Sequence, residues 1–234
     1  MGRRYLVGVF AFQYFMKLLL LLLLPLISYF PASKPAPVRV TFSPLTKAAY
    51  LAAKKACVST KPQFIFPLKK QKGRIVIPTT KRLKVFKDVV IDETSVAQGR
   101  GEAESTIHHY LGYLTDFRCH LLKVDYYETS EYLLIDATGT QLTLSGEPLF
   151  APDMRHIVAT CMGIEYGGGQ PNILQLLELR DGSVRQVWFL EPKIWEPYRI
   201  CWTSVNTLLL SKTMWTAKSQ GTAYTYAKLQ IQQP

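Results

Sequence analysis

The sequence predicts an all-β fold, mainly antiparallel, with one short N-terminal helix after a signal or anchor segment. Three observations predict it. Thirteen Tyr and eleven Phe, with many Val, Ile and Thr, favour strands. Beyond residue 83, short apolar runs alternate with polar residues and stop at glycine turns, without a long helical period. A chain of 234 residues, 48% hydrophobic and 19% charged, is long enough to bury one sizeable core.

The front of the chain sets the compartment. Residues 18–24 are seven leucines, preceded by Met16-Lys17 and followed by Pro25. An apolar run of about 13 residues matches a signal-peptide core better than a full span, which needs about 20. Met16-Lys17 has the form of a translational start of its own. The competing reading keeps residues 5–30 as an uncleaved anchor, held inside by Arg3 and Arg4. Both place the remainder outside the cytoplasm, secreted or periplasmic. Residues 1–33 are accordingly the signal peptide or membrane anchor.

Residues 34–82 read as a basic, proline-containing segment. Residues 34–44 hold three prolines and resemble a linker. Ser43-Pro44 has the form of a helix cap and first turn, with the helix running over 45–57. A strand is expected over 74–77. Residues 83–234 are the antiparallel β domain, with strands expected over 83–91, 106–114, 117–127, 131–137, 140–144, 198–202, 207–212 and 223–231. The clearest hairpin joins 173–180 to 183–191 through Asp181-Gly182. That turn sets Arg180 opposite Ser183, Leu179 opposite Val184 and Glu178 opposite Arg185, with Leu176–Val187 and Leu174–Phe189 beyond. Apolar residues on both faces predict a hairpin covered on both sides.

Two stretches carry a family likeness. Residues 147–159, Glu-Pro-Leu-Phe-Ala-Pro-Asp-Met-Arg-His-Ile-Val-Ala, resemble the strand of TolB-like β-propeller blades, in which Ser-Pro-Asp-Gly precedes a basic residue and an apolar strand. Ile200 to Leu210 is a more degenerate copy, with Asn206 near the turn. Ala151 stands where the pattern has Ser, and Met154 where it has Gly. The likeness covers about 100 residues, and shows no further copy upstream. It implies a partial or small propeller-like array, or a compact sandwich of the same hairpins, as in small exported bacterial proteins.

Charge is unevenly spread. The net charge is +11, yet residues 34–90 carry fourteen Lys/Arg against Asp88 alone, while residues 91–234 carry eleven against sixteen acids. Lys69, Lys70, Lys72, Arg74, Lys81, Arg82, Lys84 and Lys87 form a candidate anion-binding set, for an anionic membrane surface or polysaccharide. Nucleic acid is disfavoured, because Phe86 is the lone aromatic among these cations. A solvated like-charged face is the plainer reading.

No constellation spells out a reaction. The chain lacks G-x-S-x-G, H-E-x-x-H, Walker and EF-hand patterns. Cys57, Cys119, Cys161 and Cys201 form no C-x-x-C; buried thiols are the simple reading, and Cys161–Cys201 is the disulfide candidate. His108 and His109 are adjacent on a strand, so their rings diverge and share no ion easily; the same holds for Cys119 and His120. Gly167-Gly168-Gly169 precedes a strand and reads as a mobile connection. Glu102, Glu104, Asp116 and Asp125 are scattered. The expectation is an exported, non-catalytic β module that binds a protein or envelope component, without cofactor or metal. The alternatives are a hydrolase assembled only in three dimensions, or attachment to a polyanion or membrane surface through residues 69–87.

Overall fold

The structure is a computed structural model in which residues 38–165, 169–180 and 182–232 are described. The leader reading, with residues 5–30, lies outside the described residues. Residues 37–234 form one compact unit. Among the described residues no helix is long and apolar enough to cross a membrane.

The first described element corrects the linker reading. β1 (Arg39–Leu45) is a strand, paired antiparallel along its whole length with the C-terminal end of the chain, from Arg39 opposite Gln232 to Leu45 opposite Tyr226. It is an edge strand, so Pro44 costs no ladder hydrogen bond on its open side. The helix α1 (Lys47–Ala53) starts at Thr46 rather than Ser43: the Thr46 hydroxyl accepts from the Ala49 N–H at 3.1 Å. Its Tyr50 is buried and stacks on Tyr226 at 4.5 Å, which lays the helix against the sheet that β1 joins.

The chain then runs through β2 (Phe64–Ile65) to a two-stranded ribbon of β3 (Arg74–Ile77) and β4 (Lys84–Lys87). Because these two strands pair with each other, residue 82/83 is no domain boundary. A short helix α2 (Glu93–Ala97), capped by the Asp92 carboxylate at 2.8 Å from the Ser95 N–H, follows where the sequence suggested no element.

The rest is three consecutive meanders. The first is β5 (Ile107–Leu114), β6 (Cys119–Asp125), β7 (Ser130–Asp136) and β8 (Gln141–Leu144), with β2 added on the β5 edge. The second is β9 (Leu149–Phe150), β10 (His156–Cys161), β11 (Ile173–Arg180) and β12 (Ser183–Leu190). The third is β13 (Trp195–Ser204), β14 (Thr207–Met214) and β15 (Ala223–Gln232), completed to four strands by β1. None of the sheets is closed into a barrel.

The hairpin of β11 and β12 keeps the expected register only near its turn. Arg180 faces Ser183, Leu179 faces Val184 and Glu178 faces Arg185. A bulge between Leu176 and Leu177 then shifts the partners to Leu176–Trp188 and Leu174–Leu190, one residue beyond those expected. The extra residue is Val187, which leaves the ladder and packs at the margin of the core.

Packing explains why the central sheet is apolar on both sides. Val158, Leu174 and Leu176 join one cluster with Trp202, Leu208, Leu210 and Leu229 of the third meander. Ile157, Ala159 and Leu177 join another with Leu114, Leu121, Leu134 and Leu144 of the first. A third cluster seats Ile75 and Ile77 of the ribbon on Leu122, Val124, Leu133 and Ile135. Each interface buries several fully enclosed aliphatic side chains, each contributing about 1.5–3 kcal/mol.

The first and second meanders also share a backbone detail that sequence likeness alone hides. Four residues beyond Phe150, Met154 is left-handed at φ 53°; four beyond Leu114, Arg118 is left-handed at φ 52°. Glycine adopts this conformation without penalty, whereas a residue with a Cβ does not. Replacing the exposed Arg118 by glycine is therefore expected to raise stability by about 0.5–1 kcal/mol, seen as a higher urea midpoint with an unchanged slope. A lower midpoint would show that the Arg118 side chain contributes more than its backbone costs.

Candidate functional site

Residues 57–65 form an extended strap that touches the first strand of every meander. The Val58 N–H donates to the Trp202 carbonyl on β13 at 2.8 Å. Thr60 bridges Phe150 on β9, and Phe64 pairs with Leu114 on β5. Phe150 and Leu114 occupy the same position in their meanders, each four residues before a left-handed turn residue. Gly112 makes room for the last of these contacts: a Cβ there would lie 2.8 Å from Phe64 Cδ1. Trp202, almost fully buried, adds a cross-sheet tie by donating its indole N–H to the Leu149 carbonyl at 3.0 Å.

A disulfide fixes the strap at its start. It joins Cys57 to Cys201, with Cα atoms 5.7 Å apart, and this corrects the expected Cys161–Cys201 pair. The bridge between Val58 and Trp202 sets Cys57 beside Cys201, whereas Cys161 ends β10 in another sheet and keeps a free thiol. Burial and the nearby Glu196 carboxylate push that thiol's pKa up. Cys119 is a second free thiol, buried and pushed up to about 12 by burial and by Asp136. Both thiols are thereby poor nucleophiles at neutral pH.

Between the strap and the three first strands lies a cleft of about 630 Å³. Val58, Phe64, Leu111, Phe150, Ile200 and Trp202 are among the apolar residues of its wall. Its polar groups are few: Ser59, Thr60, Lys61, Tyr132 and Glu147. Burial, then the Glu147 carboxylate, raises the Tyr132 hydroxyl, which stays a neutral hydrogen-bond donor at physiological pH. Thr60 Oγ1 is buried and has no hydrogen-bond partner among the described residues. Such a lining, apolar with a few convergent polar groups, suits a ligand with an apolar body. A shallower depression of about 470 Å³ shares Cys57, Cys201 and Glu147 with it and adds Tyr198, Arg199 and Lys54.

The other residues singled out in the sequence are dispersed. His108 approaches Asp88 at 3.5 Å, while His109 meets Asp125 at 3.0 Å, so the neighbours pair with different acids. Cys119 packs among core aliphatics, while the adjacent His120 lies against Tyr110 and Tyr113. Asp125 also binds Lys123 at 2.6 Å, and Glu104 accepts from the Gly101 N–H at 3.1 Å. Among the described residues no three His, Cys, Asp or Glu side chains gather as a metal site would require. The glycine cluster lies partly outside the described residues.

The basic set divides. Lys70 pairs with Asp88 and donates to the His108 carbonyl at 2.8 Å. Burial would raise Asp88, but the His108 N–H and the Lys70 ammonium outweigh it and hold its pKa below the usual carboxylate range. Lys84 donates to Gln141 at 2.8 Å and lies over the Phe86 ring; burial and Arg82 lower its pKa. Lys69, Lys72, Arg74, Lys81, Arg82 and Lys87 are exposed.

Sequence reasoning missed the buried polar residues. Glu196, 1% exposed, accepts from the Ile164 and Glu165 N–H groups at 2.5 and 2.9 Å and from the Trp215 indole. Gln175, on the buried strand β11, accepts from Ser145 N–H at 2.8 Å and donates to the Thr143 carbonyl at 3.2 Å, tying the second meander to the end of the first. A polar residue inside an apolar run was the available signal, as Gln175 and Glu178 stand in Ile173–Arg180.

The chain matches no known family, no curated protein and no solved structure.

His120 gives the site's surroundings a pH dependence. Burial lowers its pKa below the ordinary 6.5, and its Nδ1 lies 2.9 Å from the Tyr110 hydroxyl. The unfolded chain then binds the proton first, so the contribution is full above about pH 6.5 and shrinks as pH falls toward the lowered folded value, with a slope of at most ~1.4 kcal/mol per pH unit. Urea unfolding between about pH 7 and pH 5 is expected to show this slope in the native chain and a flatter one in His120→Asn. Identical slopes would place the titration elsewhere.

Proposed function

We propose that this chain is an extracytoplasmic, non-catalytic binding module, built as a small propeller-like array whose first strands and strap hold an apolar group of an envelope protein in the cleft between them. The observation that carries this reading is the cleft itself. Three successive meanders and the strap contribute to it, its wall is mainly apolar and aromatic, and a carboxylate, an ammonium and a neutral phenol stand on it.

The topology supports the propeller-like part. Each meander is a four-stranded antiparallel unit, and the N-terminal strand β1 supplies the outermost strand of the last one. Ring-shaped propellers repeat four or more four-stranded blades around a centre. Here three complete units and a two-stranded ribbon are present among the described residues.

The chemistry supports binding over turnover. Most acids that the fold brings to a cation are committed to it: Asp88 to Lys70, Asp125 to Lys123 and Glu178 to Arg180. Glu147 and Lys61 reach a cleft whose lining is otherwise mainly apolar. The disulfide is compatible with an oxidising compartment, which agrees with the apolar leader.

Titration with the anionic aromatic probe 1-anilinonaphthalene-8-sulfonate tests the cleft. Native chain is expected to bind it saturably, and Leu111→Trp, which fills the cleft from the half-buried bulge in the middle of β5, is expected to weaken binding about tenfold, the loss of ~1.4 kcal/mol. Its unfolding midpoint serves as the folding control. Unchanged saturable binding in folded Leu111→Trp would refute the cleft as the binding site.

A further inference from the structure

The ribbon of β3 and β4 has two faces of opposite character. Ile75 and Ile77 are fully buried against the first meander. On the other face Arg74 stands directly opposite Lys87, and Val76 directly opposite Val85. Val76 is 41% exposed, Val85 47%, and Leu83 at the ribbon's tip 63%. Lys81 and Arg82 flank that tip, and Lys72 begins the opposite end.

Two features of this face work against a purely solvated ribbon. Like charges placed directly across a strand pair repel, and the valines gain nothing from water. Asp88, the lone acid within residues 34–90, is taken up by Lys70 and the His108 N–H. Among the described residues no ion pair involves Lys72, Arg74, Lys81, Arg82 or Lys87.

We infer that the outer face of the ribbon docks on an anionic lipid bilayer, with the cations at the headgroups and Leu83, Val76 and Val85 entering the interface. Basic side chains near an anionic leaflet are attracted over a Debye length, and apolar side chains between them add partition energy that a hydrophilic polyanion does not offer. That mixture selects a bilayer over a nucleic acid or an acidic polymer. The surface is separate from the cleft, so each stands or falls alone.

Lysine acetylation of the full chain, read by mass spectrometry, tests the assignment. The chain is mixed with vesicles of phosphatidylglycerol and phosphatidylcholine, or of phosphatidylcholine alone, and the basic leader is controlled for by the double variant below, which carries the same leader. Lys72, Lys81 and Lys87 are expected to lose reactivity at least about threefold on the anionic vesicles only, while exposed Lys193 and Lys218 do not. Raising salt from about 0.1 to about 0.5 M is expected to restore it. The double variant Val76→Ser/Val85→Ser, altered only on the solvent side, is expected to lose most of the protection. Equal protection on both vesicles, or none on either, would overturn the inference. So would equal protection by duplex DNA that survives in the double variant, which would assign the face to polyanionic polymers.

Discussion

The pairing of one extended segment, residues 57–65, with the first strand of three successive meanders is the constraint on which the rest of this fold depends. Each first strand would otherwise leave part of its backbone edge open, and open edges recruit other chains. The strap satisfies those edges at Trp202, Phe150 and Leu114, and does so from a position near the front of the chain. Closing such long loops costs chain entropy. The Cys57–Cys201 bond, 144 residues apart, offsets part of that cost by constraining the unfolded chain, by about 4–5 kcal/mol in the loop-entropy account. β1 repeats the theme at the other side of the third meander, where it completes the sheet begun by β13.

The same constraint creates the cleft. The strap meets the first strands through single bridges at Val58 and Thr60 and a short ladder at Phe64 and Ile65. Side chains between these points cannot pack as densely as they do within a continuous sheet, and Val58, Phe64 and Ile65 remain partly exposed. Binding surface and structural closure are thus made by the same residues. The charge distribution follows a different logic. Asp88 anchors the basic loop to β5 through Lys70 and His108, and the remaining cations stay at the surface. One acid therefore stabilises the local fold without neutralising the outer face of the ribbon.

Local signals in the sequence were readable, and contacts between distant segments were not. Arg74–Ile77 is a strand as its apolar run suggests, and Gly182 supplies the left-handed turn that sets the register of β11 and β12 close by. The register beyond the bulge was not readable, because nothing in the side chains of Val187 and Trp188 tells which leaves the ladder. β1 reads as a linker because Pro35, Pro37 and Pro44 dominate locally, whereas its strand conformation comes from β15, almost two hundred residues away. The turn shared by the first and second meanders is not legible either, because Arg118 and Met154 hold the left-handed positions where glycine would have signalled it. Of the cleft, the sequence marks Cys57, the stretch from Ile200 to Trp202 and the residues around Glu147, but it pairs Cys201 with the wrong cysteine. The strap that brings them together has no periodicity of its own.

Native-state hydrogen exchange at the Val58 amide tests the central role of the strap most directly. If the strap closes the three meanders, that N–H should exchange with the same opening free energy as core amides of β10 and β11, and removing Cys57 and Cys201 together should lower all of them in concert. An unprotected Val58 amide beside fully protected β10 and β11 would contradict the account, since the sheets would then stand without it.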